Sequence, residues 1–254
     1  MQFFYNRDCG ANYVGKHIKT LKTLLRQSRD EGLHNNIEVE RKAFKAISEP
    51  SESIYLTETE LTKLYDLDLS APDKRHLEIA RDVFLCGCYT AQRYSDYSRI
   101  NKEMLKEYSG NRVIELIQQK TGEKCIIPMR TELEAILKKY DYTLPKTYEQ
   151  KINKYIKEVG EQANITEFIH YEHNVGGKTV KTRVMKKDLI KTHTARRTGC
   201  SLMYLAGIPV IDIMKVSGHK TEKEFLKYIK VGKEETAINL ASHPYFTQSK
   251  LKVS

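Results

Sequence analysis

Apolar residues recur with helical spacing in the first part of the chain. They follow the i, i+4, i+7, i+11 rhythm of one helical face at Val14, Ile18, Leu21 and Leu25. This rhythm predicts an amphipathic helix over residues 12–30, with Gly32 just past its end as the C-cap. A single helix of this length cannot bury its own apolar stripe, so another element has to cover it.

Further helices are indicated by their start signals. Thr57 and Glu60 have the spacing of a capping box, which predicts a helix over residues 57–66. Pro72 suits a first helical position, and the apolar pattern continues from it to Tyr89. The same periodicity predicts helices at Thr131–Tyr140, at Thr147–Val159 and from Thr194 onward.

The hydrophobic period changes to that of strands in two places. Residues 112–119 and 124–129 are short β-rich runs separated by Lys120-Thr121-Gly122-Glu123, which predicts a hairpin. A second β pair brackets the turn at residues 174–177. We therefore expect a mainly helical α+β fold with a small antiparallel sheet at one edge.

The stretch from Asn35 to Glu52, with Pro50 and a Ser-Glu-Ser run, indicates a connection between two segments. We place a boundary near residue 50, which divides the chain into residues 1–49 and 50–254. Because the first segment holds only one long helix, we interpret it as the C-terminal part of a small helical domain, followed by a linker.

Composition limits the class of protein. Lys and Arg number 43 against 33 Asp and Glu, giving a net charge of +10 that favours a polyanionic partner. A 40% hydrophobic content argues against disorder, and no stretch approaches the roughly 18 consecutive apolar residues of a membrane span. The five cysteines form no CxxC pair, and the N-terminus lacks a signal-peptide pattern. We expect a cytoplasmic protein without a membrane partner.

The basic charge is concentrated in two places. One is a row on the predicted N-terminal helix, and the other is the stretch 178–197, where Asp188 is the single acid among eight basic residues. That stretch is either a solvated edge strand protected from aggregation by its lysines, or a strand and turn lying along phosphates. The candidate DNA contacts are Lys19, Lys22, Arg26, Lys181, Arg183, Lys187 and Arg197.

Three local patterns carry candidate chemistry. They are Arg93 after a buried helix, His193 with Arg196 at a spacing of three, and Gly218-His219 followed by Tyr228. Each pattern alone has an ordinary explanation. The first arginine could pair with Asp96, the His-Arg pair could be a polar cluster at a helix start, and the tyrosine could be a packing aromatic. The motif at His170 and His173 lacks the HExxH arrangement, so we expect no metal site there.

Together the patterns resemble the tyrosine recombinase (phage integrase) family. The order and spacing match at Arg93, Lys120, His193, Arg196, His219 and Tyr228. The phrases HTARRT, AGIP, SGHK and YIK, beginning at residues 193, 206, 217 and 228, are similar to those of integrases of Bacteroides-type mobile elements. The resemblance covers roughly residues 50–240, and residues 13–33 are similar to the last helix of the family's core-binding domain.

The resemblance implies a role for each matching residue. Two arginines clamp the nonbridging phosphate oxygens with the second histidine, the first histidine removes the nucleophile's proton, and a hairpin lysine protonates the leaving 5′ oxygen. Arg93 and Arg196 are the two arginines, and His219 is the second histidine. His193 is the base, Tyr228 is the nucleophile and Lys120 is the hairpin lysine. Lys124, at the far end of the same turn, is the alternative lysine.

The implied function is that of a bacterial site-specific recombinase that integrates or excises a mobile element. It would cleave and rejoin double-stranded DNA at attachment or core-type sites through a 3′-phosphotyrosine intermediate, without metal, ATP or other cofactor. The resemblance further implies a homotetramer on DNA that can be monomeric when free, a C-terminal helix over Glu234–Leu240 passed to a neighbour, and accessory DNA-bending proteins. The alternatives are a non-catalytic sequence-specific DNA-binding module and a type IB topoisomerase-like enzyme.

Overall fold

The computed structural model describes residues 2–49 and 52–247. Contacts divide the chain into two compact units. One comprises Met1–Glu52 and Phe168–Val184, and the other comprises Ser53–Glu167 and Met185–Ser254. The second predicted β pair is thus grouped with the N-terminal segment, although we expected it within residues 50–254.

The elements follow one another as a mainly helical series interrupted by two groups of strands. The helices are α1 (Gln2–Tyr5), α2 (Ala11–Asp30), α3 (Glu58–Tyr65), α4 (Arg75–Thr90), α5 (Tyr94–Tyr97), α6 (Thr131–Lys139), α7 (Glu149–Gln162), α8 (Lys186–Leu189), α9 (Thr192–Leu205), α10 (Val210–Ser217), α11 (Glu222–Leu226), α12 (Lys233–Ala241) and α13 (Pro244–Thr247). The strands are β1 (Leu105–Tyr108), β2 (Asn111–Ile117), β3 (Lys124–Pro128), β4 (Phe168–Val175) and β5 (Lys178–Met185).

Helix α2 ends as its sequence predicts. Gly32 has a φ of +77°, and the N–H of Leu33 donates to the carbonyl of Ser28 at 2.9 Å. These two features define a Schellman ending, in which glycine avoids the strain of the left-handed region. Val14 and Ile18 are buried, whereas Leu21 remains 47% exposed. The unit therefore buries the N-terminal half of the apolar stripe fully and covers Leu25 only in part.

The segment after α2 packs on this helix, although its composition indicated a connection. Val39, in a 3₁₀ turn at Glu38–Glu40, is buried. Arg26 donates to both carboxylate oxygens of Glu40, at 2.9 and 2.7 Å, and the Lys22 ammonium donates to the carbonyl of Phe44 at 2.7 Å. Polar contacts from the basic row of α2 thus hold this segment in place.

Strands β4 and β5 form a hairpin joined by Gly176 and Gly177, both with positive φ. Two glycines in this region are typical of a tight type I′ turn. Within its unit, the hairpin bridges to the start of α2 through Gly10 and Val175. In the other unit, the chain ends that flank the insertion meet, because Lys186 N–H donates to the Glu167 carbonyl at 2.8 Å.

The larger unit is built around α4, whose residues 80–86 are all buried and which packs against α7 and α9. The capping box predicted for α3 is present. The Glu60 N–H donates to the Thr57 hydroxyl at 3.2 Å, and the Thr57 N–H donates to the Glu60 carboxylate at 2.8 Å. Pro72 opens a short 3₁₀ segment, Pro72–Lys74, directly before α4.

Strands β1, β2 and β3 form an antiparallel sheet in that order. The register of β2 on β3 places Ile117 opposite Lys124 and Leu116 opposite Cys125. Strand β1 was not predicted. The mainly helical α+β class with small antiparallel sheets is confirmed. In the described part of the chain, no helix is both long and apolar enough to cross a membrane.

Helix α12 contains the stretch Glu234–Leu240 that we expected to be helical. It has no buried residue, and Ile238 is 75% exposed. Its contacts with the larger unit include a hydrogen bond from Tyr55 to Glu235 and another from the Asn239 amide to the Leu205 carbonyl at 3.0 Å.

Candidate active site

A cavity of about 560 Å³ in the larger unit is lined by five of the six residues that carry the family resemblance. These five are Arg93, Lys120, His193, His219 and Tyr228. The sixth, Arg196, does not line the cavity, but its guanidinium carbon lies 5.2 Å from the centre of the Tyr228 ring. Residues separated by more than a hundred positions in the chain are therefore grouped in one place.

Arg93 is positioned by the abrupt end of α4. Ala91 caps that helix with a φ of +53°, and Arg93 follows it in extended conformation as the N-cap of α5. Its Nη1 donates to Gln118 Oε1 at 2.9 Å. The alternative pairing with Asp96 is not seen. Asp96 Oδ1 accepts the N–H of Gln119 at 2.8 Å and lies 3.6 Å from Arg99, and its Oδ2 has no hydrogen-bond partner among the described residues.

Arg196 is fully buried on α9 and has no acidic partner among the described residues. Its Nη1 donates to the Ala91 carbonyl at 3.2 Å, and its Nη2 donates to His219 Nε2 at 2.9 Å. Its Nε has no hydrogen-bond partner in the described structure. Desolvation lowers the pKa of Arg196, and the positive charge of Arg93 acts in the same direction. A buried cation without a counter-ion is costly, so this arrangement indicates a site for an anion.

The contacts of His219 allow its tautomer to be assigned. The Ser217 hydroxyl has one proton, which it donates to the Ile213 carbonyl at 2.6 Å, and its oxygen lies 2.8 Å from His219 Nδ1. Nδ1 therefore carries the ring proton, and Nε2 accepts from Arg196. Desolvation, Arg196 and Arg93 lower the pKa of His219 to about 3, so the ring is neutral at physiological pH.

His193 and His219 lie beside Tyr228, with ring centres 6.3 and 4.6 Å from the tyrosine ring. Desolvation and the charges of Arg197 and Arg196 lower the pKa of His193 from its ordinary value, whereas Glu149 opposes them. A neutral imidazole next to a phenol can accept its proton.

The start of α9 is fixed from α7. Thr192 N–H donates to Asn153 Oδ1 at 2.8 Å, and the Thr192 hydroxyl donates to the Glu149 carboxylate at 2.5 Å. Because these contacts flank His193, they set where its ring enters the cavity. Neither Glu149 nor Asn153 was predicted to belong to the site.

The structure separates the two lysines that the sequence left open. Lys120 lies in the β2–β3 turn and lines the cavity. Lys124 begins β3, where its ammonium lies 2.9 Å from the Glu115 carboxylate, and it is not among the lining residues. Of the two lysines, only Lys120 is near the other five residues.

The charged side chains that line the cavity are Arg93, Lys120 and Lys220 together with Glu149 and Glu224, so basic groups are in excess. In the part of the chain that the structure describes, no carboxylate lies within 4.0 Å of the charged groups of Arg93, Lys120 or Arg196. Nor do three His, Cys, Asp or Glu side chains gather there in a metal-ligand set. The side chains of the site thus suit an anionic ligand.

Of the candidate DNA contacts on α2, two already have partners within their unit. Arg26 pairs with Glu40, and Lys22 donates to a backbone carbonyl. Lys19 is exposed and has no side-chain partner among the described residues. The basic row of this helix thus contributes to packing as well as to surface charge.

The hairpin, α8 and α9 hold the remaining candidates. Lys181 is highly exposed and lies 3.5 Å from Glu172, and the Arg183 guanidinium lies over the Phe168 ring at 3.8 Å. Lys187 is mostly buried and lies within 3.6 Å of Glu161 and Asp188. Arg197, half-buried beside the cavity residues of α9, has its pKa lowered by desolvation.

The fold has counterparts among solved structures. A lambda integrase dimer bound to a COC′ core site has a TM-score of 0.62 and 18% identity, covering 93% of this chain and 75% of its own. The Tn1549 transposon integrase with circular intermediate DNA has a TM-score of 0.60 and 11% identity, covering 92% and 80%. XerA recombinase has a TM-score of 0.53 and 16% identity, covering 89% and 73%.

No protein-family model matches the chain, and no curated protein matches it in sequence. The structural neighbours are tyrosine recombinases and integrases. At 11–19% identity these similarities establish the fold alone. The chain has the fold of a tyrosine-recombinase catalytic domain, as the sequence led us to expect.

Proposed function

We propose that this protein is a site-specific DNA recombinase that cleaves and rejoins strands through a 3′-phosphotyrosine. The observation that carries the proposal is the buried Arg196 without a counter-ion, placed against Tyr228 and His219 in a cavity shared with Arg93, Lys120 and His193. A phosphodiester supplies the missing negative charge and the electrophile that a tyrosine hydroxyl attacks. The fold shared with DNA-bound tyrosine recombinases supports DNA as the partner.

In the proposed reaction the Tyr228 hydroxyl attacks the scissile phosphorus while His193 takes its proton. The bond from phosphorus to the 5′ oxygen breaks, and Lys120 supplies the proton that the departing oxygen requires. The 3′-phosphotyrosyl ester retains the energy of the broken phosphodiester. A 5′-hydroxyl from another strand therefore reverses the step without ATP.

The two arginines bind the charge that develops on the nonbridging oxygens during the attack. Guanidinium groups donate paired N–H bonds to phosphate oxygens, and they provide the positive charge that metal ions provide in other phosphoryl-transfer sites. Arg196 is already desolvated, so it does not have to lose water when the substrate binds. This preorganisation favours the transition state.

His219 has to change its hydrogen bonds to act as a phosphate donor. In the free protein its Nε2 occupies the acceptor position on Arg196 that a phosphate oxygen would take. When a phosphate binds Arg196 instead, the ring releases its Nδ1 proton to solvent and takes one from solvent at Nε2, and the Ser217 hydroxyl turns its own proton from the Ile213 carbonyl toward the vacated Nδ1. Nε2 then carries the ring proton and donates to the phosphate.

The first experiment is detection of the covalent intermediate. Duplexes that bind the protein would be selected from a random-sequence pool and remade with a nick, so that the cleaved end diffuses away and the adduct accumulates. We expect a protein–DNA adduct in EDTA whose linked peptide contains Tyr228. Joining of the cleaved end to a second duplex distinguishes a recombinase from a nicking-closing enzyme. Binding without an adduct would instead favour a non-catalytic module.

We further propose a bacterial cytoplasmic enzyme that moves a mobile element of the Bacteroides type and acts as a tetramer on attachment sites. The residue phrases that resemble those integrases support this assignment. We take residues 1–49 as the end of a core-binding domain. The exposed Leu21 on α2 fits a helix whose apolar face packs on further helices.

The acidic limb of the cleavage profile is expected to follow the pKa of His193. The base must be neutral, so the rate rises with pH through this pKa, which desolvation and Arg197 place below the ordinary value of 6.5. Glu149→Gln removes a charge that raises this pKa and should move the limb to lower pH, whereas Arg197→Gln should move it to higher pH. Single-turnover cleavage from acidic to neutral pH measures both. Shifts in the same direction would contradict the assignment of His193 as base.

Replacing Lys181 and Arg183 by Gln is expected to weaken DNA binding almost equally for all sequences. For every phosphate that the variant no longer neutralises, the negative slope of log affinity against log salt concentration should become shallower by about one. Titrations at several salt concentrations measure this slope, with Lys106→Gln on the exposed strand β1 as the control. An unchanged slope would mean that Lys181 and Arg183 only protect an edge strand from aggregation and do not contact phosphates. We do not extend this expectation to Lys187, whose two carboxylate neighbours leave it less available.

A further inference from the structure

Gln118, at the end of β2, is a buried carboxamide whose hydrogen-bonding groups are all used. It is 1% exposed. Its Oε1 accepts from Arg93 Nη1 at 2.9 Å and from the Thr121 hydroxyl at 2.7 Å. Its Nε2 donates to Gln92 Oε1 at 2.6 Å and to the Ser217 carbonyl at 2.8 Å. A fully satisfied buried polar network holds its members in one arrangement.

These four contacts reach three separate parts of the cavity wall. One is Arg93, and another is the turn that carries Lys120, which Gln118 reaches through the Thr121 hydroxyl. The backbone carbonyl of Gln118 also closes this turn by accepting the Gly122 N–H at 2.9 Å. The third is the end of α10, directly before His219. Gln92 strengthens this last link by donating to the Val216 carbonyl at 2.7 Å.

The close approach at α10 depends on Gly218. This residue has a φ of +69°, and a Cβ there would lie 2.5 Å from Gln118 Nε2 and 2.7 Å from Cys125 Sγ. Any larger residue would separate the turn before His219 from the end of β2. The packing and the hydrogen bonds thus join the same two segments.

We propose that Gln118 is a positioning residue that holds Arg93 and the Lys120 turn in a fixed relation to His219. This inference rests on the proposed function, because the three groups need one geometry only if they act on one phosphate. A misplacement of about 1 Å at such a site can lower the rate roughly a hundredfold.

The amide is chemically suited to this position. Its oxygen accepts two hydrogen bonds, and its NH₂ group donates two. A carboxylate cannot donate, and a thioether is only a weak acceptor. As a neutral acceptor it orients the Arg93 guanidinium without neutralising its charge. A glutamate at position 118 would keep the acceptor but compete with the phosphate for that charge.

The test compares cleavage of two nicked duplexes, one with the normal 5′ bridging oxygen and one with sulfur in its place. A thiolate leaves without being protonated, so sulfur relieves a defect in the general acid alone. For Gln118→Met we expect cleavage of the oxygen substrate to fall about ten- to a hundredfold. The sulfur substrate should recover the part of that loss that comes from the general acid, as it should for Lys120→Ala, and the remaining loss is the share of Arg93. DNA binding should change by less than about threefold, and Gln119→Met, at the exposed neighbouring glutamine, should cleave normally.

Gln118→Glu provides a second variant that retains the shape of the side chain. It should slow cleavage of both substrates alike, because its charge competes for Arg93 and it cannot donate to Gln92 and Ser217, whereas it still accepts from the Thr121 hydroxyl of the turn that carries Lys120. Cleavage by Gln118→Met at the wild-type rate, or with equal loss on oxygen and sulfur, would overturn the inference, as would normal cleavage by Gln118→Glu. These results would leave the proposed function intact if the wild-type protein forms the adduct. Failure of the wild-type protein to form it would overturn both.

Discussion

Tyr228→Phe is expected to abolish the covalent protein–DNA adduct, lowering its rate of formation by about 10⁴-fold or more. The change removes the hydroxyl that we propose attacks phosphorus and leaves the ring in place. The ring packs with the buried cluster around Cys200, Ile213 and Phe225. Phenylalanine preserves that packing, so both the fold and DNA binding should survive.

The adduct is measured by denaturing electrophoresis with the nicked duplex, and binding is measured on an intact one. Tyr204→Phe is a matched control, because Tyr204 is also partly buried and packs on the same cluster but does not line the cavity. It should form the adduct at nearly the wild-type rate. An adduct that persists in Tyr228→Phe would identify another nucleophile and exclude the proposed role of Tyr228.

Arg196→Met is expected to abolish cleavage while raising the melting temperature of the free protein. Replacing a buried ion pair by apolar residues of similar volume can stabilise a protein by about 1–4 kcal/mol, and removing a buried cation that has no counter-ion should act in the same direction. We expect the lower end of that range, because the Ala91 carbonyl and His219 Nε2 are each deprived of a donor. For a chain of this size, that corresponds to a rise of a few degrees. Loss of the phosphate clamp should lower the cleavage rate by roughly 10²–10³-fold or more.

Arg81→Met should have the opposite effect on stability and thus serves as the control. Arg81 is also largely buried, but its Nε donates to the buried carboxylate of Asp82 at 2.8 Å. Removing it leaves that carboxylate with one fewer partner, so the melting temperature should fall. Inorganic phosphate should raise the melting temperature of the wild-type protein but not that of Arg196→Met. If both arginine variants are destabilised equally, the interpretation of Arg196 as a buried cation whose counter-ion is the substrate phosphate is wrong.

The parts of the fold that the sequence revealed are those specified by a few neighbouring residues. The capping box of Thr57 and Glu60 and the helix ending at Gly32 involve atoms within six positions of one another. Strand β1 was missed because Lys106 and Glu107 are exposed and give it no apolar period. It exists because β2 offers an edge for pairing, which is not a property of the four residues themselves.

The six residues of the candidate site could be named because their order and spacing resemble a known family, but their supporting contacts could not. A buried carboxamide such as Gln118 has no sequence signature, and its partners are distant in the chain. The preference for Lys120 over Lys124 rested on the family resemblance, because one sequence does not fix the register of β2 on β3 that places Lys124 beside Glu115. The sequence likewise shows the charges of Lys22 and Arg26 but not their partners. The Phe44 carbonyl and the Glu40 carboxylate reach them only because the segment after α2 packs on this helix.

The hairpin of β4 and β5 leaves and rejoins the larger unit at two points that are hydrogen-bonded to each other, Glu167 and Lys186. Such an insertion can lengthen, shorten or change its charge without opening the unit that holds the site, because its base is already closed. The basic surface can therefore vary independently of the chemistry. An engineered chain could therefore exchange the hairpin as a cassette between Glu167 and Lys186, provided that the replacement keeps the pairing of Val175 with Gly10 in the smaller unit.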